Sequence, residues 1–215
     1  MLKITSGMYR GRRIQAPPGE KTRPTQERLR QAWMNSLQME LPDAKVLELF
    51  AGSGALGFEA LSRGAASVVF IEKHRTACQV IQRNAKELAV ESQVRVLCSE
   101  LHDSGGFSPA DAARLKAMGA PFDLVLADPP YAEGWEFTLL EKLPWTELLQ
   151  PTGVFCLEWN PKLLRLPRGV EQPELPEKIS GLQKVREKNY GETVLTHYRL
   201  LLEDGGSDEI QREET

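Results

Sequence analysis

The residues of this 215-residue chain best suited to chemistry are Asp128, Pro129, Pro130 and Tyr131, which directly follow the apolar run 122–127. The Asp128 carboxylate and the Pro129 carbonyl can each accept one N–H of an exocyclic amine on a nucleic-acid base. Such an amine is a poor nucleophile because its lone pair is delocalised into the ring, so an enzyme must hold it in line with a methyl donor. Pro130 keeps the preceding residue out of the α conformation, which turns the Pro129 carbonyl outward. Tyr131 offers a face for stacking an unstacked base. A tight structural turn is the alternative interpretation.

A glycine-rich turn after the apolar run 45–50 holds a second set of such residues. Gly52 and Gly54 allow a tight turn and close approach to a ligand, although the pattern fits a dinucleotide fold as well as a methyltransferase. Glu72 lies 20 residues after Gly52, where its carboxylate can accept both ribose hydroxyls of an adenosine; a solvated carboxylate is the alternative. Glu100 either accepts an adenine amino group or faces solvent. We therefore predict S-adenosylmethionine as cofactor, with contacts from Glu48, Phe50, Ala51, Gly52, Ser53, Gly54, Glu72, Lys73, Glu100 and Leu101.

Strands and helices in alternation must position these residues. Short apolar runs alternate with helical-period segments from Lys45 onward, which is typical of βαβ units around a mostly parallel sheet. The patterns predict strands at 45–50, 67–72, 94–98, 122–127 and 153–159, helices at about 26–37, 55–63, 75–89 and, weakly, 110–118, and a closing hairpin at 182–188 and 194–202. Thr25 is the predicted N-cap of the first helix. Ligand sites of such folds lie beyond the carboxyl ends of the strands, so Gly52 and Asp128 should meet in one crevice.

These elements define the expected fold class. We predict an α/β, Rossmann-like fold with a seven-stranded, mostly parallel sheet, helices on both faces and a C-terminal antiparallel hairpin. A short basic N-terminal arm should precede it.

Charge is unevenly divided along the chain, although the formal net charge is only −3. Residues 1–31 carry eight Lys or Arg against two Glu, whereas residues 203–215 carry six Asp or Glu against one Arg. We predict a basic RNA-binding arm or small hairpin at 1–24, a catalytic domain at 25–202 and an acidic disordered tail at 203–215. A solvated charged face is the alternative for the basic segment. RNA contacts are expected from Arg10, Arg12, Arg13, Arg23, Thr25, Arg28 and Arg30.

Disulfide-stabilised, metal-binding, membrane-spanning and secreted proteins leave signatures that this sequence lacks. The three cysteines and three histidines are isolated from one another, so neither a disulfide framework nor a metal site is predicted. No run approaches the roughly 20 apolar residues that a membrane span needs, and residues 1–5 lack the apolar run of a secretion signal. We therefore expect a cytoplasmic monomer with no metal and no membrane partner.

Together these residues resemble a known family. The loop 48–57, Glu72 and residues 128–131 look like the class I methyltransferases that act on amino nitrogens of bases. Similarity to the bacterial 16S ribosomal RNA guanine-N2 methyltransferases, of the small-subunit methyltransferase D type, spans about residues 2–200 and is carried further by segments 4–7, 10–12, 22–25 and 28–30 with Asn35. The resemblance implies S-adenosylmethionine as cofactor, 16S rRNA of the assembling small subunit as partner and the N2 amine of guanine 966 as target.

Three other functions remain open from the residues. An adenine-N6 or a protein-glutamine methyltransferase uses a similar loop, although glutamine methylation favours Asn at the position of Asp128. An NAD-dependent oxidoreductase fits the glycines but leaves residues 128–131 and the basic segment without a role. A non-catalytic RNA-binding module would have no need of a cofactor crevice.

Overall fold

The computed structural model describes residues 1–17, 24–101, 106–131, 133–164 and 173–201. Its strands are β1 (Leu2–Lys3), β2 (Arg13–Ile14), β3 (Lys45–Leu49), β4 (Ser67–Glu72), β5 (Val94–Cys98), β6 (Phe122–Ala127), β7 (Leu149–Trp159), β8 (Lys178–Ile179), β9 (Leu182–Tyr190) and β10 (Thr193–Leu200). Its α-helices are α1 (Pro24–Ser36), α2 (Ala55–Ser62), α3 (Arg75–Leu88), α4 (Pro109–Ala117), α5 (Trp135–Lys142) and α6 (Trp145–Leu148). The predicted acidic tail and Arg23 lie outside the described residues.

Strands β3 to β10 form one sheet in the order β5-β4-β3-β6-β7-β10-β9-β8. Strands β3 to β7 pair in parallel, and β10, β9 and β8 extend the sheet in antiparallel fashion. The predicted α/β fold class is therefore confirmed. The prediction of seven strands was one too few, because β8 has only two residues and shows no alternating pattern.

Strand β7 begins earlier than the sequence predicted. Leu149 already pairs with Phe122, and a register shift then separates this pair from the regular ladder that starts at Leu124 and Val154. Gly153 is the last residue of this irregular segment, and the residues before it, Gln150, Pro151 and Thr152, are not apolar strand formers. The apolar pattern therefore becomes legible only from Gly153 onward. These residues concealed the first four positions of the strand, which runs from Leu149 to Trp159.

Helices cover both faces of the sheet, and each face has its own core. Val46, Leu124 and Leu126 point toward α1, α2 and α3, while Leu47 and Val125 point toward α4, α5 and α6. Successive residues are thus buried on opposite faces, as expected for central parallel strands. The sequence did not predict α5 or α6, which contain only eight and four residues.

Helix α1 begins at Pro24, so Thr25 lies inside its first turn and does not form the predicted N-cap. Proline is well suited to the first turn because no helical hydrogen bond needs its missing N–H. Among the described residues, no helix has the length and apolar character required to cross a membrane.

The basic N-terminal segment is a small hairpin packed on the sheet domain. Strands β1 and β2 pair antiparallel, and the apolar side chains of Leu2, Ile4 and Ile14 are buried in the core beside α1 and α2. Gly7 comes so close to α2 that an added Cβ would overlap the Ser62 carbonyl. Residues 1–17 therefore contribute to the fold as well as carrying charge, and deleting them would expose part of the core.

A buried carboxylate, Glu59 of α2, connects this hairpin with α1. Its oxygens accept the Thr5 N–H at 2.7 Å and the Thr5 hydroxyl at 3.0 Å. The Arg30 Nε lies 3.3 Å from the same carboxylate, and the Arg63 Nε lies 3.8 Å away. Because Glu59 is 0% exposed, this group of charges forms part of the interior.

Candidate functional site

A cleft of about 580 Å³ opens at the carboxyl edge of the parallel strands. The ends of β4, β5 and β6, the residue after β3, and the start of α5 supply its walls. The lining residues are Phe50, Ile71, Glu72, Lys73, His74, Ser99, Glu100, Leu101, Asp128, Pro129, Pro130, Tyr131, Glu133 and Trp135. Two groups that the sequence placed far apart, Glu72 and residues 128–131, thus face one space. This is where an open α/β sheet binds its ligands.

Glu72 ends β4 and is almost buried at 6% exposure. One carboxylate oxygen accepts the Gly52 N–H at 2.9 Å, and the other accepts the His74 N–H at 2.7 Å. These contacts hold the glycine-rich loop against the end of β4. Each oxygen retains a further lone pair, because an ionised carboxylate has about four acceptor sites.

The structure requires glycine at the three loop positions for different reasons. Gly52 has a φ of +52°, and no atom lies within 4 Å of the position that a Cβ would occupy. Gly57, by contrast, lies against the sheet, where a Cβ would overlap the Phe70 ring. Gly54 combines a φ of +75° with a similar approach, 2.9 Å from Phe58. Gly52 is therefore open to a ligand, while Gly54 and Gly57 allow α2 to pack closely.

The cleft contains some of the predicted cofactor contacts but not all of them. Phe50, Glu72, Lys73, Glu100 and Leu101 line it. Five predicted contacts are not among the lining residues: Glu48, Ala51, Gly52, Ser53 and Gly54. Gly52 is partly exposed and the other four are buried, so the expected meeting of Gly52 and Asp128 in one crevice stays a prediction. Glu48 in particular is 3% exposed and accepts the Gly57 N–H at 2.7 Å, so it holds the start of α2.

The rim of the cleft near β5 carries exposed charges. The Lys73 ammonium lies 3.3 Å from the Glu100 carboxylate, and both side chains are about half exposed or more. Nearby, the Ser99 hydroxyl donates to Asp111 at 2.7 Å, and this contact helps to lower the pKa of Asp111. Glu100 is thus at the edge of the cleft, where it faces solvent as well as the cavity.

Residues 128–131 form the opposite wall, and Tyr131 is anchored there. The residue is 43% exposed, yet its hydroxyl donates at 2.7 Å to Glu158, a carboxylate that is only 5% exposed. Burial, followed by the negative charges of Glu158 and Asp128, raises the pKa of Tyr131. Burial also raises the pKa of Glu158. The tyrosine therefore stays protonated and acts as a donor near neutral pH.

Sequence reasoning missed Trp135 and Glu158. Trp135 packs edge-to-face on Phe50, with ring centroids 5.2 Å apart, and narrows the cleft between the two motifs. Its position four residues after Tyr131 was a usable signal, since an aromatic residue so close to a site loop often lines the same cavity. The signal for Glu158 was a carboxylate near the end of an otherwise apolar strand, beside the strand that delivers Asp128.

The structure separates the predicted RNA-binding residues into two groups. Arg10, Arg12, Arg13 and Arg28 are exposed. Arg30 is 7% exposed; its Nε faces Glu59, and its Nη2 donates to the Lys3 carbonyl at 2.8 Å. The expectation that Arg30 neutralises phosphate was wrong, because its guanidinium is used inside the protein.

Asn84 of α3 connects the hairpin with the glycine-rich loop. Its amide nitrogen donates to the Gln15 carbonyl at 3.0 Å and to the Ser53 carbonyl at 3.3 Å, and its oxygen accepts the Gln15 N–H at 2.8 Å. The side chain is 0% exposed, so water does not compete for these bonds. Asn84 thus joins the basic hairpin to the glycine-rich loop. Within the described part of the chain, no group of three or more His, Cys, Asp or Glu is arranged to hold a metal ion.

Comparison with known proteins places the chain in a family. The family model described as conserved hypothetical protein 95 matches residues 2–199. Ribosomal RNA small subunit methyltransferase D of Escherichia coli K12 is 35% identical over 147 residues, which are 67% of this chain and 69% of that relative. The chain belongs to this family. The resemblance predicted from the residues is confirmed.

Solved structures share the fold. The E. coli protein yhhF, whose name describes a candidate methyltransferase, is 30% identical with a TM-score of 0.69, covering 93% of this chain and 97% of that chain. The Thermus thermophilus 16S rRNA N2 G1207 methyltransferase, solved with AdoMet and guanosine, is 23% identical with a TM-score of 0.55, covering 86% of this chain and 45% of that one. The family's fold is therefore the Rossmann-like methyltransferase fold predicted from the sequence.

Proposed function

We propose that the protein transfers a methyl group from S-adenosylmethionine to the N2 amine of a guanine in 16S rRNA of the assembling small ribosomal subunit, with guanine 966 as the family's target. The observation that carries this proposal is the shared cleft, in which Glu72 and residues 128–131 face the same space. The name of the E. coli relative supports ribosomal RNA as the substrate class.

The residues of the cleft fit S-adenosylmethionine. The free lone pairs of Glu72 can accept the ribose hydroxyls while its other lone pairs keep the loop in place. The open space beside Gly52 admits the methionine part, and the apolar side chains of Phe50, Ile71 and Leu101 suit an adenine ring. A volume of 580 Å³ lies within the range of about 300–1,000 Å³ that is usual for ligand sites. When bound, the cofactor supplies a methyl group on a positively charged sulfur.

The chain's own residues then hold and orient the target. The Asp128 carboxylate and the Pro129 carbonyl each accept one N–H of the amine, which directs the nitrogen lone pair toward the methyl group. In this arrangement the two acceptors also stabilise the positive charge that develops on nitrogen. The Tyr131 ring stacks on the base after it leaves its RNA neighbours. One amine proton then passes to Asp128 or to water.

The exposed cations bring RNA to the cleft. We assign phosphate contacts to Arg10, Arg12 and Arg13 on the hairpin and to Arg28 on α1, since all four are exposed. We favour guanine N2 over adenine N6 as the target. The support is the T. thermophilus N2 G1207 methyltransferase, which has the same fold and was solved with guanosine and AdoMet.

The test is incubation of the protein with labelled S-adenosylmethionine and small subunits at successive assembly stages, followed by RNA digestion and identification of the methylated nucleoside. We expect N2-methylguanosine from wild type. An Asp128→Ala variant should bind the cofactor normally but transfer the methyl group about 100-fold or more slowly, because an oriented polar contact is lost. N6-methyladenosine would overturn the proposed base. Tight binding of NAD without S-adenosylmethionine binding would overturn the proposed reaction class.

A further inference from the structure

Glu158 is a buried carboxylate at the target side of the cleft that has no role in the function proposed above. It lies near the end of β7, the strand next to β6. Ala127 of β6 pairs with Leu157 of β7, so Asp128 and Glu158 are the next residues along two neighbouring strands, and Glu158 still pairs with Leu195 of β10. A carboxylate is costly to bury, so its retention at this position calls for a function.

The described partner of Glu158 is Tyr131. The tyrosine hydroxyl donates to Oε1 of Glu158 at 2.7 Å, close to the short distances of charge-assisted O–H···O bonds. The hydroxyl end of the ring is therefore held by the sheet, while the rest of the residue remains accessible to a ligand at 43% exposure.

We propose that Glu158 is a positioning residue for the target base, which acts by fixing the ring of Tyr131 in the orientation on which the base stacks. The proposal rests on the proposed function, since it requires a base to enter the cleft. Tyr131 follows two prolines in a loop and has no helix or strand to restrict its side chain. Without the Glu158 contact, its ring would have to be ordered when RNA binds, and that cost would weaken base capture. The orientation of the amine by Asp128 would remain.

The proposal is tested with variants of Tyr131 and Glu158 in the full-length protein. Tyr131→Phe keeps the ring and removes the donor, Glu158→Ala removes the acceptor, and Glu158→Gln keeps an acceptor oxygen. Single-turnover methylation is measured against the concentration of small subunits, and cofactor affinity is measured by calorimetry. We expect Tyr131→Phe and Glu158→Ala each to raise the half-saturating concentration of subunits by about three- to tenfold, with the maximal rate and cofactor affinity little changed.

Two further comparisons separate positioning from a structural effect. The double variant should resemble either single variant, because both remove the same hydrogen bond, and Glu158→Gln should restore part of the loss. Tyr198→Phe is a matched control, since this buried tyrosine donates to the Pro176 carbonyl at 2.8 Å on another part of the sheet. It should lower the melting temperature without changing half-saturation. If Glu158→Ala does not fold, Tyr131→Phe and Glu158→Gln still decide the outcome.

If the wild-type protein methylates RNA and Tyr131→Phe has the same half-saturating concentration of subunits, this inference alone is overturned. Additive losses in the double variant would do the same, because independent effects exclude a shared contact. A wild-type protein that methylates no RNA at any assembly stage would overturn the proposed function and this inference with it.

Discussion

Replacement of Glu72 by alanine should weaken cofactor binding without removing the cleft. The carboxylate is 6% exposed and accepts the Gly52 and His74 N–H groups at 2.9 and 2.7 Å. A hydrogen bond to a charged group contributes about 1.5–3 kcal/mol, and alanine would remove the proposed ribose acceptor as well as the two loop contacts. We expect the affinity for S-adenosylmethionine and S-adenosylhomocysteine to fall by about 1–3 kcal/mol, which is roughly five- to 150-fold.

Isothermal titration calorimetry measures this loss, and Glu100→Ala is the matched control. Glu100 lies on the rim with its side chain 64% exposed, paired with Lys73. A contact made by so exposed a carboxylate contributes about 0–1 kcal/mol, so even if Glu100 accepts the adenine amino group its removal should change affinity by less than about fivefold. Wild-type affinity in a folded Glu72→Ala protein would refute the ribose assignment. Equal losses of affinity in both variants would show that the net negative charge of the cleft, not the position of the Glu72 carboxylate, determines cofactor binding.

Three further outcomes follow from the structure. Glu59→Ala should lower the free energy of unfolding in urea by about 3–5 kcal/mol, because it leaves Arg30 buried without its partner; a loss below about 1 kcal/mol would contradict this. Burial, with Arg186 and Arg199 nearby, lowers the pKa of His197 to about 4. As the pH falls, the unfolded chain therefore protonates this histidine at a higher pH than the folded protein does. Stability should therefore decrease by at most about 3 kcal/mol as the pH falls from about 6.5 to 4, and a His197→Gln protein should show a flatter profile in pH-dependent melting. When glutamine replaces the three hairpin cations Arg10, Arg12 and Arg13, the slope of log RNA affinity against log salt concentration should become shallower by about 2–3 units. An unchanged slope would show that RNA binds elsewhere on the protein.

The central part of the fold could be predicted because its signals are local. Strands β4, β5 and β6 begin and end as predicted, since each is a short apolar run bounded by polar or turn residues. The cleft could be predicted because parallel strands bring their carboxyl ends together whatever their separation in sequence. This rule alone brought Glu72 and Asp128 to one edge.

The features that were missed depend on tertiary contacts. The residues around Arg30 in the sequence are those expected around an exposed cation. Its burial depends on the pairing with Glu59, which lies on another helix. Similarly, β8 exists because Ile179 pairs with Leu182 across a tight turn, and two residues are too few to show a period. The hydrogen bond between Tyr131 and Glu158 joins residues 27 positions apart, a distance at which a single sequence carries no pairing signal.

The unequal surroundings of the loop glycines affect how a mutational screen of this protein should be interpreted. A screen that scores only activity would rank Gly52 and Gly57 as equivalent, since changes at either would abolish methylation. Their failures would nevertheless be different. A side chain at Gly57 would collide with Phe70 and push helix α2 off the sheet, which would reduce the amount of folded protein, whereas one at Gly52 meets open space and strains only the backbone. A parallel measurement of protein abundance would therefore divide this short motif into one position whose proposed role is in ligand binding and one that serves the fold.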